Sequence, residues 1–108
     1  MTLFPCPYLN GEVELTDERE QHIAAQHPDL LPAHRDALAN VLADPDSVRL
    51  SARFGNARLF TRWVNNVGGG KHVVVVAVSD ATPYNRHWVI TAYVARKLSE
   101  GAIEWQKS

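Results

Sequence analysis

The hydrophobic period of the chain changes near residue 47: apolar positions before it fall at helical spacing, and those after it alternate. Thr16 is a favourable helix N-cap, followed by Asp17 and Glu18 where acids suit the helix dipole. A helix is predicted from there to about His27, stopped by Pro28. Glu12–Leu15 ahead of it reads as a short strand. A second helix is predicted next, with Pro32 in an early turn and Leu31, Leu38, Val41 and Leu42 as its buried stripe. Asp44-Pro45-Asp46 ends it.

From Ser47 the period is two. Val48, Leu50 and Ala52 alternate with Arg49, Ser51 and Arg53, and Phe54-Gly55-Asn56 signals a turn. The next strand sets Leu59, Thr61 and Trp63 against Arg58, Phe60 and Arg62. Residues 65–70 form a Gly-rich loop. Val73–Val78 is apolar on both faces, as a central strand should be. A turn is predicted over 80–86. The last clear strand alternates Trp88, Ile90, Ala92 and Val94 with Val89, Thr91 and Tyr93; Ile103 and Trp105 dock an irregular tail. Two helices followed by about four strands with short connections predict an α+β fold, with both helices on one face of a four-stranded antiparallel sheet.

If the helices cover Val48, Leu50, Leu59, Trp63, Trp88 and Ile90, alternation fixes the other face. It then carries Arg49, Arg53, Arg58, Arg62, Thr91 and Tyr93, with Phe60 and Val89 between them. Charge sharpens this picture. The formal net charge of −1 hides a division by position. Residues 1–46 hold nine acids (Glu12, Glu14, Asp17, Glu18, Glu20, Asp29, Asp36, Asp44, Asp46) and two bases. Residues 47–97 hold eight bases (Arg49, Arg53, Arg58, Arg62, Lys71, Arg86, Arg96, Lys97) and one acid, Asp80. A basic sheet face suits an anionic partner. Guanidinium groups bind phosphate oxygens bidentately, and Phe60 or Tyr93 would stack a base. The competing reading of the same arginines is that they pair with the acidic helices or stay solvated.

A chain of 108 residues is expected to form one domain. No apolar run approaches about 18 residues, so no membrane span is expected. The start, Met1 to Pro7, has neither a basic segment nor a long apolar run, so no secretion signal is expected. A lone Cys6 excludes an internal disulfide and fits a reducing cytoplasm. His22 and His27 are five residues apart and do not share a helix face. They lack the spacing of a zinc-binding pair, so no metal site is expected. Gly68-Gly69-Gly70-Lys71 is not a nucleotide-binding loop: Asn65 stands where its first glycine should be, His72 replaces Ser or Thr, and a strand follows.

Taken in order, His22-Ile-x-x-x-His27-Pro28, Asp44-Pro45-Asp46-x-Val48, Arg58-Leu-Phe-x-Arg62, the valine run and Val89-Ile-Thr91-Ala-Tyr93 resemble a known group. They look like the small phage and bacterial proteins of the barnase–EndoU–colicin–RelE-like nuclease superfamily. The resemblance spans roughly residues 12–105. It implies helices packed on a four-stranded antiparallel sheet, an active site on the open sheet face, and RNA cleavage without metal or cofactor. It also implies a toxin-like role, with RNA (transfer RNA included) as substrate and an antitoxin or immunity protein as partner. Thr91-Ala92-Tyr93 with His22 and His27 matches the EndoU-like pattern, and Lys71 is the candidate for its lysine. On this reading His22, His27, Arg62, Thr91 and Tyr93 are catalytic, and Arg49, Arg53, Arg58, Phe60 and Lys71 hold substrate. Two alternatives stay open: a module on this fold that binds RNA, a nucleotide or a protein without cleaving, and an antitoxin-like protein whose acidic helices meet a basic partner.

Overall fold

The computed structural model describes residues 1–81 and 84–108. Its elements are β1 (Thr2–Cys6), a short 3-10 turn (Pro7–Leu9), β2 (Gly11–Leu15), α1 (Asp17–Gln26), α2 (Arg35–Ala43), β3 (Ser47–Leu50), β4 (Ala57–Val64), β5 (Lys71–Asp80), β6 (Arg86–Ala95) and β7 (Ala102–Gln106). The α+β class is as expected. The sheet, however, has seven strands in the order β1-β2-β6-β5-β4-β3-β7, which corrects the predicted four. The extra strands come from both ends of the chain: the β1–β2 hairpin, whose β2 runs parallel to β6, and β7, which pairs with β3. The turn predicted over 80–86 falls partly on Thr82 and Pro83, which lie outside the described residues.

Local sequence accounts for the helices. The Thr16 hydroxyl accepts the Arg19 amide at 3.1 Å and opens α1, as the cap signal predicts. The second helix starts later than predicted. Leu31–Pro32 is a cis peptide in a turn segment, and α2 begins only at Arg35. Leu31 is nevertheless buried, with Leu38, Val41 and Leu42, beneath the helical layer. The sheet curls around that layer. Tyr8, in the turn between β1 and β2, packs on Trp105 of β7 at the opposite end of the strand order. Residues so far apart in the sheet meet only across a curved surface.

Cross-strand register fixes which side chains share a face, because directly paired residues point the same way. Val48 pairs with Phe60, Phe60 with Val75, and Val75 with Ala92, and all of them join the core under the helices. On β4 the helix side is therefore Arg58, Phe60, Arg62 and Val64, and Leu59, Thr61 and Trp63 face away. The predicted assignment was reversed on this strand. Phe60 is a fully buried core residue, not an exposed ring for a base. Arg58 and Arg62 flank it and pair with Glu104 of β7 and Asp44 at the end of α2.

Val89 also lies in the helix-side core. The remaining face carries a second apolar cluster of Ala57, Leu59, Val74, Val76 and Val78, with Trp88, Ile90, Tyr93 and Leu98 against it. A register shift in β6 explains how Trp88 and Tyr93 come to share that face. Val76 pairs with Thr91 and Ala77 with Val89, so Ile90 is an extra residue, and strict alternation breaks there.

Candidate functional site

The face away from the helices is crossed by a strap, residues 96–101, which carries the chain from β6 to the far edge of the sheet. Leu98 anchors it on the second apolar cluster. Gly101 ends it with φ +79°, and a Cβ there would lie 2.3 Å from the Leu50 carbonyl oxygen, so glycine is required. One cavity of about 360 Å³ lies beside the strap, lined by Arg49, Thr61, Tyr93, Lys97, Ser99 and Glu100 among others. Another of about 180 Å³ is lined by Arg53, Phe54, Ile90, Thr91, Tyr93 and Glu100 among others. Tyr93 and Glu100 belong to both, so the two form one groove.

Arg49 is set into this groove by β3. Its Nη1 donates to the Glu100 carbonyl at 3.3 Å, while its Nε is buried without a hydrogen-bond partner. The guanidinium therefore keeps unused donor capacity beside the cavity. The Tyr93 hydroxyl donates to Glu100 Oε2 at 3.4 Å. Burial, and then the Glu100 charge, push the Tyr93 phenol above its usual range, so it remains a donor at neutral pH.

His27 reaches the same place by another route. β2 pairs with β6 only at His87 and Trp88, and α1 continues along β6 beyond that point. At the end of α1 the His27 ring stands 6.3 Å from the Tyr93 ring, tilted by 41°. Its backbone is held there, donating to Ile23 and accepting from Leu30 and Leu31.

Of the residues singled out from sequence, the fold brings Arg49, Arg53, Thr91 and Tyr93 together on the groove, with His27 at its margin. It does not bring the others there. His22 is exposed on α1. Arg62 donates to the Asp44 carboxylate at 3.1 Å and to the Asp44 carbonyl at 2.8 Å. Lys71 donates to the Gly68 carbonyl at 2.7 Å within its own loop. Arg58 pairs with Glu104 at 2.8 Å. The alternative in which the arginines pair with the acidic helices describes Arg62, at Asp44 just past α2, and not Arg58 or Arg86, whose partners Glu104 and Glu14 lie on β7 and β2.

The Arg58–Glu104 pair has a third member, since the Tyr8 hydroxyl donates to Glu104 at 2.7 Å. Hydrogen bonds from Arg58 and then Tyr8 hold the Glu104 carboxyl below its usual range. Burial, followed by Glu104, pushes Tyr8 up to about 12. The signs are opposite. The Glu104 contribution to stability is present above the ordinary carboxylate pKa and is lost as pH falls through the lowered folded value. The Tyr8 contribution is present below the ordinary phenol pKa of about 10 and is lost as pH rises through about 12. In a tyrosinate absorbance titration, Glu104→Gln is expected to move the late-titrating phenol back towards 10. An unchanged titration curve would show that Glu104 has no hold on Tyr8.

Sequence reasoning missed Glu100 and Lys97. Both lie on the irregular strap, where no period assigns a face, and the only visible signal is the charged run Arg96-Lys97-Leu98-Ser99-Glu100 after the last clear strand. It also missed Phe54, read only as a turn residue. Among the described residues no group of three or more His, Cys, Asp or Glu is arranged to hold a metal ion. Among the described residues no helix is long and apolar enough to cross a membrane. Neither family models, nor curated proteins, nor solved structures give a significant match to this chain.

Proposed function

We propose that the groove binds RNA with a backbone phosphate at Arg49 and that the chain cleaves it by attack of the 2′-hydroxyl. The observation that carries the reading is Arg49 itself, a guanidinium lining a cavity of about 360 Å³ that spends one Nη donor on the Glu100 carbonyl and forms no ion pair among the described residues. A phosphate supplies the oxygens such a group lacks. Lys97 adds positive charge, and Thr91 and Tyr93 add hydroxyl donors.

Cleavage needs a base, an acid and cations at the phosphorane. Glu100 accepts from the Tyr93 hydroxyl, and the His27 ring stands 6.3 Å from the Tyr93 ring. On this reading Glu100 takes the 2′-hydroxyl proton as O2′ bonds to phosphorus. The bond from phosphorus to O5′ breaks, and His27 protonates the leaving oxygen. Arg49 and the Tyr93 hydroxyl offset the charge on the phosphorane. The products are a 2′,3′-cyclic phosphate and a 5′-hydroxyl. The work is cytoplasmic on this reading, and an antitoxin would have to cover the groove.

The second reading is a module that binds RNA without cutting it. It is favoured by the position of His27, which meets Tyr93 but does not line the cavities. Incubation with transfer RNA and with fluorogenic RNA in EDTA separates the two. Cleavage to cyclic-phosphate ends that is lost in His27→Ala and in Glu100→Gln supports the nuclease. Binding that weakens with salt, without cleavage, supports the module. Cleavage unchanged in both variants overturns the proposed chemistry.

A further inference from the structure

Trp63 stands on the groove face of β4, two residues beyond Thr61, which lines the larger cavity. Two strand residues advance about 7 Å. The residue is 44% exposed, yet its ring is held from several sides. Its Nε1 donates to Asn65 Oδ1 at 2.9 Å. The His72 ring lies 5.0 Å away and nearly perpendicular. Gly70 leaves room for it, since a Cβ there would come within 2.7 Å of the indole. Its backbone amide donates to the Asp46 carboxylate at 2.7 Å. A large apolar ring both immobilised and half in water is preorganised for a flat ligand, because no ordering remains to be done on binding. The other two tryptophans are engaged within the fold: the Arg86 guanidinium lies over Trp88, and Trp105 packs on Tyr8.

The charge around Trp63 suits the same ligand as the cavity. β6 ends at Ala95, and His72, the cross-strand partner of Trp63, also pairs with Ala95. Arg96 and Lys97 therefore leave the sheet at this end. Both are exposed, and neither forms an ion pair among the described residues. A cation and a rigid aromatic ring thus lie along one face, Arg49 on β3 and Trp63 on β4, with the exposed Arg96 and Lys97 at the same end of the sheet as the ring. Single-stranded nucleic acid is recognised by this combination, cations tracking the backbone and rings stacking bases.

We infer that Trp63 is a base-stacking platform for single-stranded RNA leaving the Arg49 cavity. The inference rests on the reading of the groove as an RNA site. A duplex is excluded as ligand because its bases already stack on one another and present no free face to the ring.

The test uses 2′-O-methyl oligonucleotides, which lack the nucleophile and stay intact, two and six residues long, with fluorescence anisotropy as readout. Trp63→Leu keeps apolar bulk without an aromatic face, and Trp63→Tyr restores a ring. The expected result is a loss of about tenfold or more in six-mer affinity for Trp63→Leu, in line with base–aromatic stacking. Dimer affinity should stay unchanged, and Trp63→Tyr should recover most of the six-mer affinity. Equal six-mer affinity in Trp63→Leu and the parent protein overturns the platform. So does an equal loss for dimer and six-mer, which would mark a structural defect, or equal competition by a duplex. If neither oligonucleotide binds the parent protein, the RNA reading of the groove falls, and the platform with it.

Discussion

Replacing Phe60 by alanine is expected to destabilise the protein by about 3–5 kcal/mol, the usual cost of removing a fully buried aromatic side chain. Phe60 has no exposed surface, packs edge-on against Tyr8 at 5.9 Å, and pairs with Val48 and Val75 beneath the helices. Its loss removes apolar burial and leaves a cavity that the surrounding sheet cannot readily close. Urea unfolding is the measurement, and a large fall in the midpoint is the expected outcome. RNA affinity per folded molecule should be unaffected, because Phe60 lies on the face opposite the groove. The reverse pattern, intact stability with weakened RNA binding, would mean that the strand faces are assigned wrongly.

Arg49→Ala is expected to act in the opposite sense. If Arg49 holds the reacting phosphate, cleavage should fall by about 10²–10³, the scale seen when one fixed donor to a developing charge is removed. Stability should hold or rise, since an unsatisfied buried donor costs about 1–3 kcal/mol and the variant removes one. Arg58→Ala and Arg62→Ala are the matched controls. Their partners are Glu104 and Asp44 on the helix side, so these variants should leave cleavage intact. Turnover on a fluorogenic RNA, measured beside thermal unfolding, reads both quantities. Cleavage lost in Arg62→Ala but kept in Arg49→Ala would move the site to the other face and end the present reading.

Much of the fold was legible from residue 12 onward, and the reason it stops being legible is specific. The capped first helix, the apolar stripe of the second and the valine-rich central strand each announce themselves within a short window. Alternation also says correctly that Arg58, Phe60 and Arg62 share a side of β4. What it leaves open is how one strand's faces relate to the next. That parity depends on the connection between them: residues 51–56 bring Leu50 opposite Arg58, which places Val48 with Phe60 rather than with Leu59. Charge then misled, because a phenylalanine between two arginines reads as exposed. Arg58 reaches Glu104 on β7 and Arg62 reaches Asp44 at the end of α2, while the ring between them is core.

The terminal strands were harder to foresee. β7 is exposed along its whole length, and Pro5 interrupts the donor pattern of β1, so neither carries a buried-strand signature. The groove was half visible. Arg49, Arg53, Thr91 and Tyr93 fell on the intended face. Glu100 and Lys97 are placed by the strap, a path across the sheet that no local pattern encodes, and Trp63 was assigned to the helices.

The extra residue in β6 sets the relation between length and geometry in that strand. Without Ile90, strict alternation would run unbroken from Trp88 through Thr91 to Tyr93, and every remaining side chain would keep its present face. The bulge therefore leaves the chemistry of the groove as it is and changes its shape, adding a side chain to the wall beside Thr91 and bending the strand under the strap. Groove width and groove chemistry are thus separable, and a change of one residue in strand length could alter which substrates enter while Arg49 and Tyr93 stay in place.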